Sequence, residues 1–423
     1  MTSATAIGPL PAASESRYRW AILGGLWLAY FSFGLVVASV APLITPIREE
    51  LGISRAVMGG ILGAWPLVYI AAAIPGGAML DRFGTRRTLA AGIGIIALSG
   101  ALRAVAVDFT TLLLAVGVFG IGGPLISIGA PKVISQWFSQ QDRGTALGIY
   151  VTAPALGSII AVTTANSIFM PLTDENWRLT LGIFACIALL ALMAWLLIAR
   201  EPRGEVESHA APGEASGWRV FPSLLRIPFV RLILVMALCA FLFNHAIQNW
   251  MPEVLRDSGL SARNAGFWAA VPTAMGVLTV LTVPRLTPPH RRIKTLLLVL
   301  IPVSIAPLLI GLTDGAAMFL GLFMVGASRL TSATLVLTLM DSPQVGSRNM
   351  GAAGGLYFTA GEVGGVLGPL MMGLMADITD GFTGGLLVLT GLGGTLMALA
   401  GVLGLTISRS ARVQASPSSR GAG

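Results

Sequence analysis

The chain has 423 residues, of which 55% are hydrophobic and only 11% charged. A soluble protein of this size cannot keep so much apolar surface away from water, so composition excludes a water-soluble fold and points to an integral membrane protein. The formal charge of +8 reads as a topological signal rather than as a nucleic-acid-binding surface.

Taken in chain order, residues 1–19 hold Pro, Ser, Glu and Arg without an apolar core and read as a cytoplasmic tail, with no cleavable signal peptide. Apolar runs of about 20 residues then follow one another, each long enough for an α-helix to cross about 30 Å of hydrocarbon. The runs are continuous rather than alternating, which favours helices over a barrel. Twelve spans are predicted, at 20–43, 59–79, 88–107, 110–136, 145–169, 179–199, 230–252, 265–283, 295–312, 316–339, 352–375 and 384–407. Residues 200–229 have linker composition and divide the spans into an N-terminal six-helix half, 20–199, and a C-terminal six-helix half, 230–407. A tail, 408–423, closes the chain. The expected class is an all-α membrane protein of twelve transmembrane helices. Of the 27 Lys and Arg, nineteen fall on one side of this arrangement and six on the other, Arg103 among the six. The bias places both termini in the cytoplasm. Cys186 and Cys239 fall inside spans and suggest neither a disulfide framework nor a metal site.

The two halves share a register. Gly148, Tyr150, Thr152, Ala153 and Gly157 match Gly355, Tyr357, Thr359, Ala360 and Gly364 at an offset of 207. Gly52, Ser54 and Gly59 match Gly259, Ser261 and Gly266 at the same offset. Two separated blocks with one offset indicate an internal repeat. Both halves start on the same side, so the repeat is parallel, related by an axis along the membrane normal.

After span 2 the chain reads GAMLDRFGTRRTL, Gly77 to Leu89. Gly77, Asp81, Arg82, Gly84 and Arg86 resemble the motif between helices 2 and 3 of the major facilitator superfamily. The resemblance implies that fold, a solute site between the halves near mid-membrane, and a cytoplasmic conformational latch in which the acid receives hydrogen bonds from neighbouring helix ends and arginines. Met79 and Thr85 depart from the family's usual leucine and basic residue. Span 4 has Val116 where a second family motif carries an arginine tied to proton coupling. WFSQQDRGTALG from Trp137, the pair Trp177-Arg178, and Gln248-Asn249-Trp250-Met251-Pro252 are similar to anion-carrying branches of the cyanate–nitroimidazole and oxalate–formate types.

In this family the first helix of each three-helix set (spans 1, 4, 7 and 10) lines the cavity. Ionisable residues inside spans are costly and therefore functional suspects; they are Lys132, His245, Arg329 and Glu362. Arg329 and Glu362 lie equally far from one hairpin turn, which predicts similar depths. Three readings follow: a static ion pair, a switch in which an anionic substrate competes with Glu362 for Arg329, and a protonatable Glu362 carrying the coupling ion. Lys132 either snorkels to water or charges the cavity. His245, Gln248 and Asn249 share a helical face, read as substrate contact or solvated vestibule. Tyr30 and Trp27 are candidate cavity aromatics.

These readings converge on a monomeric secondary transporter in a bacterial-type cytoplasmic membrane, moving a small organic or inorganic anion by rocker-switch alternating access. The alternatives are a proton-coupled drug or metabolite exporter and a transporter-like receptor that does not translocate. Nothing in the sequence suggests an enzyme, a cofactor, a bound metal or a nucleic-acid partner.

Overall fold

A computed structural model describes residues 13–200, 220–342 and 344–415. Most of the expected linker and the ends of both expected tails lie outside the described residues. Among the described residues every regular element is a helix. Eleven helical segments are long and apolar enough to cross a membrane: α1 Arg17–Leu51, α2 Arg55–Ala104, α3 Phe109–Trp137, α4 Arg143–Leu172, α5 Trp177–Ile198, α6 Pro228–Asp257, α7 Ala262–Leu286, α8 Arg292–Leu312, α9 Gly315–Met340, α10 Asn349–Ile378 and α11 Thr383–Ser408. The protein is an all-α, multi-pass membrane protein.

The difference from twelve lies in α2, whose 50 residues cover the spans expected at 59–79 and 88–107. At 1.5 Å per residue a straight helix of this length would run roughly 75 Å, more than twice the hydrocarbon thickness. It is not straight. Gly84 has φ 75° and ψ 173°, a conformation open essentially to glycine alone. The glycine of the Asp-Arg-x-Gly motif therefore supplies the break.

Other segments depart from α-geometry more gently. The α1 helix ends at Ala38 and resumes at Ile44 after a 3-10 turn. That break leaves carbonyls without intrahelical donors, and Arg103 fills the gap. Its Nη1 donates to Val36 O at 2.7 Å and to Ser39 Oγ at 3.4 Å, and its guanidinium lies over the Phe119 ring. Arg103 is only 1% exposed, which corrects its expected place among the surface charges. It is a buried structural cation that ties the end of α1 to α2.

The sequence repeat recurs as equivalent backbone contacts. A β-carbon built on Gly157 would stand 2.1 Å from Phe31 O and 2.7 Å from Leu35 N. One built on Gly364 would stand 2.1 Å from Leu238 O and 2.8 Å from Leu242 N. Each residue of the second group lies 207 positions after its counterpart in the first. These glycines let α4 lie directly on α1, and α10 on α6, at a distance no larger residue permits.

A second equivalent pair joins the N-terminal set α1–α5 to the C-terminal set α6–α11. Gly59 of α2 meets Pro369 O of α10, and Gly266 of α7 meets Val162 O of α4, each at 2.4 Å from the built β-carbon. Val162 and Pro369 again differ by 207. Polar contacts reinforce the same end. Thr45 donates its hydroxyl to Glu253 Oε2 at 2.6 Å. The backbone N–H groups of Arg55 and Ala56 donate to the Asp377 carboxylate at 3.0 and 2.7 Å. At the end where the described chain starts, the ion pairs among the described residues stay within one set. Examples are Arg19–Asp142 at 2.9 Å, Lys132–Asp81 at 2.8 Å, and the Arg292–Asp341 pair.

Candidate functional site

Between the sets lies a cavity of about 970 Å³. The N-terminal set contributes Tyr30 and Phe33 of α1, Trp65 and Tyr69 of α2, Ser127 of α3, and Tyr150 of α4. The C-terminal set contributes Phe241, Asn244, His245 and Gln248 of α6, Gly276 of α7, Arg329 and Ser332 of α9, and Phe358 and Glu362 of α10. Phe221 and Met350 line it toward the end where the described chain starts, so the cavity opens to that side and is closed at the other by the contacts above. The lining is broader than expected: spans 2, 5, 8 and 11 take part beside spans 1, 4, 7 and 10. Wide, aromatic walls with a few convergent polar groups are the usual build of a small-molecule site.

Arg329 sits on the cavity wall, partly buried, just after α9 tightens at Ala327 and Ser328. Its stem lies on Gly276, where a β-carbon would stand 2.3 Å from Arg329 Cδ. Its Nη2 donates to Thr273 Oγ1 at 3.4 Å. Among the described residues Arg329 forms no ion pair with a carboxylate, and the expected Arg329–Glu362 pair is not made. The reason is direction: similar depth does not bring two side chains together when one leans along α7 and the other faces α6.

Glu362 is 7% exposed, and its Oε2 is buried without a hydrogen-bond partner, as is Nδ1 of His245. The two groups are neighbours. A β-carbon on Gly365 would stand 2.7 Å from His245 Nδ1 and 2.8 Å from Glu362 Oε2. His245 lies between two aromatic rings, Trp65 with centroids 5.4 Å apart and planes at 25°, and Phe241 at 6.0 Å and 28°.

The remaining candidates divide. Tyr30 lines the cavity and stacks on Tyr150 with centroids 4.5 Å apart and planes at 4°. Gln248 lines it as expected, together with Asn244, whose Oδ1 accepts from Ser328 Oγ at 2.8 Å. Asn249 does not; it is buried, and its amide donates back to His245 O at 2.8 Å. Lys132 does not line the cavity either. Its Nζ pairs with Asp81 Oδ1, so the lysine joins the acid of the motif loop. Arg82 lies over Phe83, and Arg86 donates to Leu196 O at 3.4 Å while its own carbonyl accepts from Trp195 at 3.0 Å. Gly77 has open space around it. Trp27 donates to Thr152.

The branch-like motifs also serve packing. Trp177 and Arg178 both engage Glu50, the tryptophan at 2.6 Å, and Trp250 donates to Pro369 O at 2.9 Å. Sequence reading missed Trp65 and Tyr69 because aromatics are common in apolar runs. It missed Glu253 because it falls one residue beyond the predicted end of span 7.

The pattern that defines the Major Facilitator Superfamily matches residues 26–369. The chain belongs to the Major Facilitator Superfamily. It is a secondary transporter that moves a small solute across a bilayer, and its function is transport rather than catalysis. The uncharacterized transporter YycB of Bacillus subtilis (strain 168) is 25% identical over 89% of this chain and 91% of the relative. The hexuronate transporter of the same organism is 24% identical over 82% and 85%. The 3-(3-hydroxy-phenyl)propionate transporter of Escherichia coli (strain K12) is 25% identical over 96% and 98%. Similar folds include a bacterial homolog of the human lysosomal transporter Spinster in an inward-facing, occupied conformation, with TM-score 0.70, 18% identity and coverage of 93% and 97%. The nucleoside transporter NupG follows with TM-score 0.72, 14% identity and coverage of 91% and 98%. Relatives with different substrates stand at similar identity, so no branch is singled out.

Proposed function

We propose that this superfamily member carries a small organic anion with a single recognised carboxylate, and that Arg329 binds that carboxylate. The observation that carries the reading is a guanidinium on the cavity wall with no carboxylate partner among the described residues. Guanidinium matches a carboxylate in two-pronged geometry and keeps its charge at any working pH. The rings of Phe33, Trp65, Tyr69, Phe241 and Phe358 favour an organic body over a bare inorganic ion. Tyr30, Gln248, Asn244 and Ser332 offer hydrogen bonds to hydroxyls on it. Relatives named for hexuronate and for 3-(3-hydroxy-phenyl)propionate both act on organic acids, one hydroxylated and one aromatic, and both bodies suit such a lining.

In the same reading the α2 break at Gly84 separates two crossings, giving twelve in two six-helix halves with both termini in the cytoplasm of a bacterial-type cell. The cavity then faces the cytoplasm. Transport follows by rocking one half against the other, with Asp81, Lys132, Arg82, Gly84 and Arg86 as the cytoplasmic latch and the Thr45–Glu253 and Asp377 contacts as its external counterpart.

The test is counterflow in proteoliposomes with hexuronate, galactonate, glucarate and 3-(3-hydroxyphenyl)propionate, beside a neutral sugar and a cationic drug. Uptake of at least one acid, abolished in Arg329→Ala, supports the reading. Uptake of the drug alone, or acid uptake indifferent to Arg329→Ala, sinks it, and binding without flux would make the protein a receptor.

A further inference from the structure

We infer that a small chamber beside Arg329 binds one chloride-sized inorganic anion, held by the Arg329 guanidinium, the Thr273 hydroxyl and the Gln248 amide. Displacement of that anion by a substrate rests on Arg329 being the carboxylate ligand; the anion site itself does not.

The chamber is distinct from the large cavity and measures about 20 Å³. Ser158, Asn244, Gln248 and Arg329 line both spaces, so the guanidinium stands at the boundary. Val162 lines the chamber, and its carbonyl meets Gly266 where the two helix sets touch. The chamber therefore lies toward the closed end. One water-sized particle needs roughly 10–15 Å³ of such space. The chamber admits a single atom-sized guest and leaves the bulk of an organic acid in the large cavity. Val162, Ile247, Met251, Ala269 and Val325 make much of its wall apolar, and charge interactions are strong in so dry a space.

The polar groups around it sort into those already committed and those still able to donate. Ser328 gives its proton to Asn244 Oδ1 at 2.8 Å, Asn244 donates to Ala240 O at 2.7 Å, and Ser158 donates to Gly34 O at 3.1 Å. Arg329 spends one N–H on Thr273 Oγ1 at 3.4 Å. A guanidinium carries several N–H donors and no acceptor, so others remain. Thr273 accepts that bond, and among the described residues its own O–H has no acceptor. The Gln248 amide makes no hydrogen bond among the described residues. Donors from α9, α7 and α6 thus converge on one small space.

Charge decides the guest. Among the described residues no Asp or Glu lines the chamber. Glu362 lines the large cavity only, and Glu253, further along α6, is held by Thr45. A water molecule accepts the same hydrogen bonds but leaves the arginine without a countercharge, which is costly in a dry interior. A halide supplies the countercharge while the carrier is without substrate. A carboxylate arriving from the large cavity brings a second negative charge to the same guanidinium. Each anion then weakens the other by the same factor.

The test is chlorine-35 NMR of the full chain in nanodiscs of uncharged lipid, with chloride exchanged for sulfate at constant ionic strength. Wild type should broaden the chloride line saturably, and bromide should reverse the broadening at lower concentration than sulfate does. Arg329→Ala should lose it. Thr273→Val keeps the shape of the side chain and removes its O–H, and should weaken chloride binding about ten-fold or more; it decides the matter if Arg329→Ala does not fold. Broadening that never saturates, that sulfate removes as readily as bromide, or that is unchanged in Thr273→Val overturns the site. Hexuronate should release the bound chloride. An acid that is taken up in counterflow yet leaves the chloride in place overturns the displacement, and with it Arg329 as the carboxylate ligand. Broadening lost in Arg329→Ala and weakened in Thr273→Val would then still support the anion site.

Discussion

Arg329 depends on a glycine. Its stem occupies the space above Gly276, and a larger residue there would push the guanidinium off α7. Arg329→Ala is expected to lower organic-acid counterflow about 10- to 150-fold, since a charge-assisted pair is worth roughly 1.5–3 kcal/mol and each 1.4 kcal/mol is tenfold. Arg329→Lys should recover only part of it, because a point charge replaces a planar fork. Counterflow rates at matched protein incorporation decide both. Gly84 is the other residue whose identity is forced. Its φ of 75° with ψ 173° is nearly closed to side chains, and Gly84→Ala should destabilise by about 1–3 kcal/mol. A lower melting temperature in a thiol-dye thermal scan would show it; an unchanged one would mean the turn can relax.

At the scale of helices, the tightest joints are those built on glycine. Gly364→Ala and Gly157→Ala each place a methyl about 2 Å from a backbone carbonyl that no rotamer can relieve. Both should reduce the yield of monodisperse protein on size exclusion, and equally, because the two contacts are equivalent. The joint between sets adds polar contacts to its glycine contacts. Asp377 accepts from two backbone N–H groups at the start of α2, in the manner of a helix cap, and losing such a cap costs roughly 0.5–2 kcal/mol. Asp377→Ala should therefore shift the conformational balance several-fold toward opening at that end. Labelling of Ala155→Cys in the cavity by an impermeant thiol reagent, in a background free of Cys186 and Cys239, measures the shift. A labelling rate equal to that of the parent would show that Asp377 does not hold the end shut.

For the whole molecule, contacts between the sets concentrate at one end, where Gly59 meets Pro369 and Gly266 meets Val162. The cavity opens at the other. Locking the closed end should stop any cycle that needs it to part. Ala56→Cys with Asp377→Cys, whose backbone and side chain now lie 2.7 Å apart, is expected to block exchange after oxidation and to recover on reduction. Exchange that continues with the crosslink formed would rule out rocking about this joint.

The sequence by itself determined that the chain is a bundle of apolar helices, because run length and hydropathy follow from bilayer thickness and do not depend on packing. It also carried the 207-residue repeat and the Asp-Arg-x-Gly turn, whose glycine has a backbone reason visible in the residue type. It gave Arg329 and Glu362 similar depths, since depth along a helix can be counted at 1.5 Å per residue, and offered His245, Gln248 and Tyr30 as candidates on cavity-lining spans. Rotation about the helix axis cannot be counted in that way. One residue turns the helix by about 100°, and tilt and close approach then decide which faces meet. Tertiary structure alone thus gave Glu362 a neighbour in His245 rather than Arg329, gave Lys132 to Asp81, turned Asn249 back on its own helix and buried Arg103 beneath the broken end of α1. Glycine set the first of these, letting α10 and α6 touch at Gly364 and Gly368, and the break after Ala38 set the last, leaving carbonyls in need of a donor.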